Sequence, residues 1–291
     1  MMQTNTKKSQ TFITLMALIM ILGCKSTGDK FGSPDSYDFS KPEKFILPNA
    51  LHEISGLAFN NLDPSTIYSL QDENGGIFSQ QWANKKALST KFAGRGDFED
   101  LAILSDTIFV LKSNGTIYSF PLSELGKKQA DHVKEWKKLV PKGEFESLYA
   151  DEAASELVLL CKDEELGAKK YQTTGYVLKY DGSSRKLELK ETFILNTKAV
   201  KRSGSELTHG LRPSALSRNP VTKDWYILSA VNKILVVADP DWNIKSVYRL
   251  HSNTFNQPEG LAFDKDQNLY ISNEGDEVTN GNILKFVYKE P

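Results

Sequence analysis

A short signature centred on one leucine recurs along this chain, and its spacing admits few architectures. Ile54-Ser55-Gly56-Leu57-Ala58-Phe59, Phe98-Glu99-Asp100-Leu101-Ala102-Ile103, Phe145-Glu146-Ser147-Leu148-Tyr149-Ala150, Pro213-Ser214-Ala215-Leu216-Ser217 and Pro258-Glu259-Gly260-Leu261-Ala262-Phe263 align on it. The steps between the leucines are 44 (57→101), 47 (101→148), 68 (148→216) and 45 (216→261) residues. Each leucine is followed by a turn and a second apolar run: Thr66–Leu70, Thr107–Leu111, Glu156–Leu160, Trp225–Leu228 and Asn268–Ser272. Third runs follow in Gly115–Phe120, Tyr176–Tyr180, Ile234–Ala238 and Asn282–Phe286. Short runs rich in β-branched and aromatic residues, separated by Gly, Asn and Asp, are the chemistry of strands and turns. About 45 residues holding four strands is the size of a propeller blade. The chain is therefore expected to be all-β, a five-bladed β-propeller over residues 43–291, with six blades as the alternative. On the five-blade reading the one long step holds extra loop, at 163–174 and 196–210. The last unit ends near Tyr288, so Glu43–Pro48 is expected to supply its outer strand and close the ring.

The residues before the repeats read as an address. Lys7 and Lys8 precede Phe12–Leu22, an apolar run broken only by Thr14. At ~1.5 Å per residue such a helix is about half of what a bilayer requires. A positive start and a short apolar core form a secretory signal, here residues 1–23. It ends in Ile21-Leu22-Gly23-Cys24, which resembles the bacterial lipobox; the alternative is an ordinary signal peptide that contains a cysteine. The resemblance implies acylation of Cys24 and anchoring in a lipid membrane, where two or more chains hold stably. Lys25 follows the cysteine, so an outer-membrane lipoprotein facing the periplasm or the surface is expected. Residues 24–42 are rich in Ser, Gly, Asp, Lys and Pro and read as a flexible tether.

Composition excludes other classes. Lys and Arg number 36 against 37 Asp and Glu, and 40% of residues are hydrophobic. That balance rules out a disordered chain and gives no basic excess for a nucleic-acid partner. Cys161 is the only cysteine besides Cys24, and it lies in the apolar run Leu157–Cys161, so a buried structural thiol is expected.

Blade geometry places the candidate chemistry. The first strand of a blade lines the axis and the second runs antiparallel to it. The start of the first and the end of the second therefore share one face. Glu99, Glu146 and Glu259 begin first strands, with Ser55 and Ser214 at the equivalent places. Asp72-Glu73, Lys162-Asp163 and Asn273-Glu274 end second strands. Such carboxylates should converge on one channel mouth and raise one another's pKa unless a cation sits among them. Ca²⁺ takes six to eight oxygen ligands in flexible geometry, so Glu99, Glu146, Glu259 and Asp72 are the candidate metal ligands. Alternatively each Glu caps backbone N–H groups or pairs with Arg95, Arg212 or Lys112. Glu73, Asp163, Asn273 and Glu274 are further candidates for ligand binding. His209 and Arg212, in His209-Gly210-Leu211-Arg212-Pro213, join them, and Arg212 suits a carboxylate or phosphate. His52, His132, His209 and His251 show no close ligand spacing, which disfavours zinc. Asp264–Asn268 imitates the start of a calcium loop without its Gly and distal Glu, and reads as a hairpin turn. There is no phosphate-binding loop and no nucleophile elbow.

Glu53-Ile54-Ser55-Gly56-Leu57, Asp72-Glu73-Asn74-Gly75, Phe98-Glu99-Asp100-Leu101, Phe145-Glu146-Ser147-Leu148 and Pro258-Glu259-Gly260-Leu261 resemble the SdiA-regulated family of bacterial envelope proteins. That family is related to NHL-repeat propellers, and the resemblance spans 43–289. It implies a five-bladed propeller with a calcium site and leaves the biochemical activity open. Two functions stand side by side. One is a tethered module that presents a face to a protein or small-molecule ligand. The other is a metal-dependent hydrolase of a lactone or phosphate ester, with a carboxylate as base.

Overall fold

The apolar runs pair into five four-stranded antiparallel sheets. A computed structural model describes residues 32–165, 171–202, 207 and 210–290. Blade one comprises Ile54–Asn60, Asp63–Gln71, Asn74–Gln80 and Leu88–Arg95. Blade two comprises Phe98–Leu104, Thr107–Lys112, Ile117–Pro121 and Lys134–Trp136. Blade three comprises Gly143–Asp151, Glu156–Glu164, Gln172–Asp181 and Lys186–Asn196. Blade four comprises Ala215–Arg218, Trp225–Ser229, Ile234–Ala238 and Ile244–Arg249. Blade five takes Pro258–Phe263, Leu269–Asn273 and Asn282–Phe286 from the C-terminal end of the chain. Its outer strand is Glu43–Ile46, with Phe45 opposite Ile283, so both ends of the domain are zipped into one sheet.

The first strands touch in a closed ring, blade one to two, two to three and on to five and back. This makes a five-bladed propeller with those strands around the axis. Middle strands are squeezed between neighbouring blades, and Trp225–Ser229, Ile234–Ala238 and Leu269–Asn273 are buried along their whole length. That explains their continuous apolar character where a half-exposed strand would alternate. The outer strand Lys186–Asn196 is mostly exposed and carries Lys and Glu. The core consists of layers between blades. Between blades one and two, Phe92 lies 5.1 Å from Phe98 and 5.6 Å from Phe120. Between three and four, Trp225 stacks on Trp242 at 4.3 Å, and Phe193 covers Trp242 at 4.4 Å.

Two expectations need correction. The tether does not run to residue 42, because Tyr37 and Phe39 are only 5% and 7% exposed. Phe39 packs 4.7 Å from Phe286 and 5.3 Å from Phe255, and the Tyr37 hydroxyl donates to the Gln267 carbonyl at 2.8 Å. The polar composition around these rings hides two anchors. The long step in the repeat is partly strand, since the third and fourth strands of blade three run 10 and 11 residues. A short helix, Lys198–Arg202, follows them. The signal segment, Cys24 and residues up to 31 lie outside the described residues.

Candidate functional site: an acidic funnel at one mouth of the channel

The glutamates of the signature owe their direction to backbone irregularity. Phe98 pairs with Lys112 and Asp100 with Leu111, which leaves Glu99 as an extra residue in the first strand. Glu146 is left over between the Phe145–Cys161 and Ser147–Leu160 pairs, and Glu259 between Pro258–Asn273 and Gly260–Ser272. Each is a β-bulge, which re-aims a side chain that regular pleating would send into a blade. In blade one the irregularity falls at Ser55-Gly56.

The residues beside the bulges knit the ring together. Asp100 accepts the N–H groups of Leu101 and of Leu148 in the next blade, both at 2.8 Å. Ser214 donates to the Pro258 carbonyl at 2.8 Å, and Ser272 to the Ser55 carbonyl at 2.9 Å. Blades approach too closely for side chains at Gly56 and Gly260. A Cβ on Gly56 would lie 2.8 Å from the Asp100 Cα, and one on Gly260 2.8 Å from the Ser55 carbonyl oxygen.

The bulged residues open into a funnel of about 450 Å³ lined by Asp72, Asp97, Glu99, Glu146, Glu259 and Glu274, with Ser55, Gln257 and Lys162. Burial raises the affinity of four of these carboxylates for protons. Burial and then Asp97 push Glu99 up to about 8, against the pull of Lys162. Burial and then Glu274 push Glu259 up to about 8. Burial, then Asp72 and Glu53, push Glu274 up to about 7. Asp72 is raised by burial and by Glu53, and its Oδ1 is buried without a hydrogen-bond partner.

The sequence candidates divide between the funnel and its surroundings. Glu99, Glu146, Glu259, Asp72 and Glu274 line it. Glu73 does not; it pairs with Arg95 at 2.6 Å on the exposed rim. Arg212 and Asp163 pair with each other at 3.3 Å, and Arg212 also meets Glu144 at 3.4 Å. Asn273 is corrected outright. It is fully buried inside blade five, where its amide donates to Asn282 at 3.2 Å. His209 lies outside the described residues. Cys161 is the expected buried thiol, with Sγ 3.3 Å from the Asp163 carbonyl oxygen, and burial pushes it up to about 12.

Lys162, Asp97 and Gln257 were missed as site residues. Lys162 forms an ion pair with Glu146 and lowers the pKa of Glu99, Glu259 and Glu274 alike, so its ammonium sits among carboxylates from several blades. Gln257 donates to Glu274, and Asp97 accepts from Ser113. The donors are hard oxygens of the kind calcium takes. Yet among the described residues no three carboxylates converge closely enough to hold a metal ion.

The family profile described as SdiA-regulated matches residues 34–277. The chain belongs to the SdiA-regulated family. Its matched span begins close to Tyr37 and Phe39, in keeping with their place in the core. No curated protein matches this SdiA-regulated chain. Among solved structures, a luciferin-regenerating enzyme is similar at 9% identity and a TM-score of 0.53, covering 86% of this chain and 98% of that one. A chain of a nidogen–laminin complex is similar at 14% identity and a TM-score of 0.47, covering 76% of this chain and 72% of that one. At these identities the first likeness establishes a shared fold and nothing of the chemistry.

The opposite mouth of the channel is different in kind. It is a cavity of about 260 Å³ whose wall includes the signature leucines Leu57, Leu101, Leu148, Leu216 and Leu261 with Ala58, Ala102 and Ala262. At its edge Arg218 pairs with Asp151 at 3.0 Å.

Proposed function

We propose that this SdiA-regulated propeller is a lipid-anchored binding module of the cell envelope whose acidic funnel receives a positively charged ligand. The observation that carries the reading is the charge imbalance of the lining, six carboxylates against Lys162. The imbalance is one-sided. Lys162 engages Glu146, whereas Asp72 is raised by burial and by Glu53, and Glu274 by burial, Asp72 and Glu53, against a weaker pull from Lys162. A ligand's ammonium, guanidinium or divalent ion on that flank offsets a repulsion the fold otherwise relieves by taking up protons. Calcium belongs among the candidates because the family resemblance implies it and the donors are oxygens, although they do not converge.

Titration calorimetry at pH 8 with cadaverine, spermidine, Mg²⁺ and Ca²⁺ tests the reading. Binding of at least one, lost in an Asp72→Asn/Glu274→Gln double variant, is expected. No binding by any, or binding that survives the double variant, contradicts it. A metal-dependent hydrolase needs an ion held by several protein ligands with one position open. The described residues bring no such set together, so the donor arrangement favours binding over turnover. Anchoring rests on Gly23-Cys24. Cys24→Ala should leave the protein unprocessed or soluble, and an unchanged membrane fraction contradicts the lipoprotein reading.

A further inference from the structure

The register of the blades makes corresponding positions comparable. Gln71, Lys112, Cys161 and Asn273 pair with the first residue or residues of the signature in their blades: Ile54, Phe98, Phe145 and Pro258. The residue after each is Asp72, Ser113, Lys162 or Glu274, and all of these but Ser113 line the funnel. Blades one and five therefore place a carboxylate where blade three places a lysine. Blade three also differs in its backbone. Glu144 pairs with Asp163 and Phe145 with Cys161, which leaves Lys162 as an extra residue in the second strand, facing the extra Glu146 in the first. Two opposed bulges thus present this acid and this base to each other. The pair is shielded from water, with side chains 17% and 15% exposed, so its attraction is little screened.

We propose that Lys162 is a built-in counter-ion standing where a metal would otherwise bind, so that it excludes divalent ions from the Glu99–Glu146–Glu259 side of the funnel. This rests on the reading of the funnel as a binding site for positive charge. A tethered ammonium is held at the site by the fold itself. A divalent ion entering beside it meets a like charge at close range, and the carboxylate it most needs, Glu146, is already engaged. The lysine therefore sets the specificity of the funnel. Ligands are admitted on the Asp72–Glu274 flank, and the side that resembles a calcium ring is closed. Replacing the lysine with a neutral side chain frees Glu146 and opens that side to calcium.

Calorimetry with Ca²⁺ and melts in EDTA or Ca²⁺, at pH 8, compare wild type with Lys162→Met, Lys162→Gln and Lys162→Arg. The Met and Gln variants should bind Ca²⁺ at least tenfold more tightly than wild type and melt higher in Ca²⁺ than in EDTA. The Arg variant, which keeps the charge, should behave as wild type. Should these neutral variants fail to fold, Lys162→Thr should show the same gain in Ca²⁺ affinity, and Glu146→Gln/Lys162→Met, which deletes the freed carboxylate as well, should lose it. Ca²⁺ bound equally by wild type and the neutral variants, or by none of them, overturns the proposal. Cadaverine or spermidine binding to wild type separates the two readings. If it persists while the Lys162 variants ignore Ca²⁺, only the counter-ion falls; if it is absent as well, the cation-binding funnel falls with it.

Discussion

The two mouths of the channel are built from the same five strands, a few residues apart, and they obey different rules. At the leucine end the first strands of blades two to five pair regularly with their neighbours, the signature repeats in every blade, and its leucines and alanines line the wall inside a polar edge that holds Asp151, Arg218 and Lys223. At the other end the pairing is broken by bulges, the residue before the closest approach varies between Glu and Ser, and the wall is acidic. Regular pairing sends alternate side chains into the layers between blades, where only packing matters. A bulge releases one side chain from that alternation and turns it toward the axis. The repeat thus carries the fold at one mouth, and the departures from it carry the chemistry at the other.

The sharpest way to break this comparison is to exchange stability for charge at the two ends. Leu216→Ala should cost about 2–5 kcal/mol in urea unfolding, as for other buried leucines. Glu259→Gln should cost far less, and at pH 8 should stabilise, because it removes a carboxylate that burial makes costly to ionise. If Glu259→Gln is as damaging as Leu216→Ala, the acidic mouth is part of the structural frame. Next in size is Gly56→Ala, between the mouths. The new methyl meets the backbone of Asp100 and Leu101, and about 1–3 kcal/mol should be lost.

The dependence on pH sharpens the same contrast. Glu99 and Glu259 are raised from 4.5 to about 8 in the folded protein, and Glu274 to about 7. Between roughly 4.5 and 8 the folded state keeps protons that the unfolded chain releases, so stability should fall as pH rises through that window. Each group contributes at most about 1.4 kcal/mol per pH unit while it titrates. Glu99→Gln/Glu259→Gln should flatten the slope, measured as the urea midpoint against pH. A slope left intact removes these residues as its source. Glu124, lowered to about 2 by His132 and backbone N–H groups, acts in the opposite sense and only on the acid side. Smallest of all, Glu73→Gln on the rim should change stability by no more than about 0.5 kcal/mol despite its ion pair with Arg95, because that pair is exposed.

Much of the fold was legible because a repeat reports on packing. Blade number, the closing strand Glu43–Ile46 and the shared face of Asp72, Glu99, Glu146, Glu259 and Glu274 follow from spacing and strand direction alone. The lapses have physical causes. Tyr37 and Phe39 lie in a polar stretch whose average composition says tether, while two rings suffice to dock it. Asn273 reads as a mouth residue when Asn273-Glu274 is set against Asp72-Glu73 and Lys162-Asp163, but the pairing puts Asn273 level with Gln71 and Cys161, and a one-residue slip moves a side chain to the opposite face. Lys162 carries no ligand signature in the sequence, because a base among acids belongs to no ligand pattern. Its signal was present as the one position where a recurring strand end changes the sign of its charge.

The most direct test of the acidic mouth as a site for positive charge is a pair of thermal melts of the propeller, at pH 8 and pH 5.5, each with and without spermidine. At about 100 Kd a ligand that binds only the folded state adds about 2.7 kcal/mol. A clear rise in Tm at pH 8 that disappears at pH 5.5, where Glu99, Glu259 and Glu274 hold their protons, is the predicted result. No rise at pH 8, or an equal rise at both, would contradict the account.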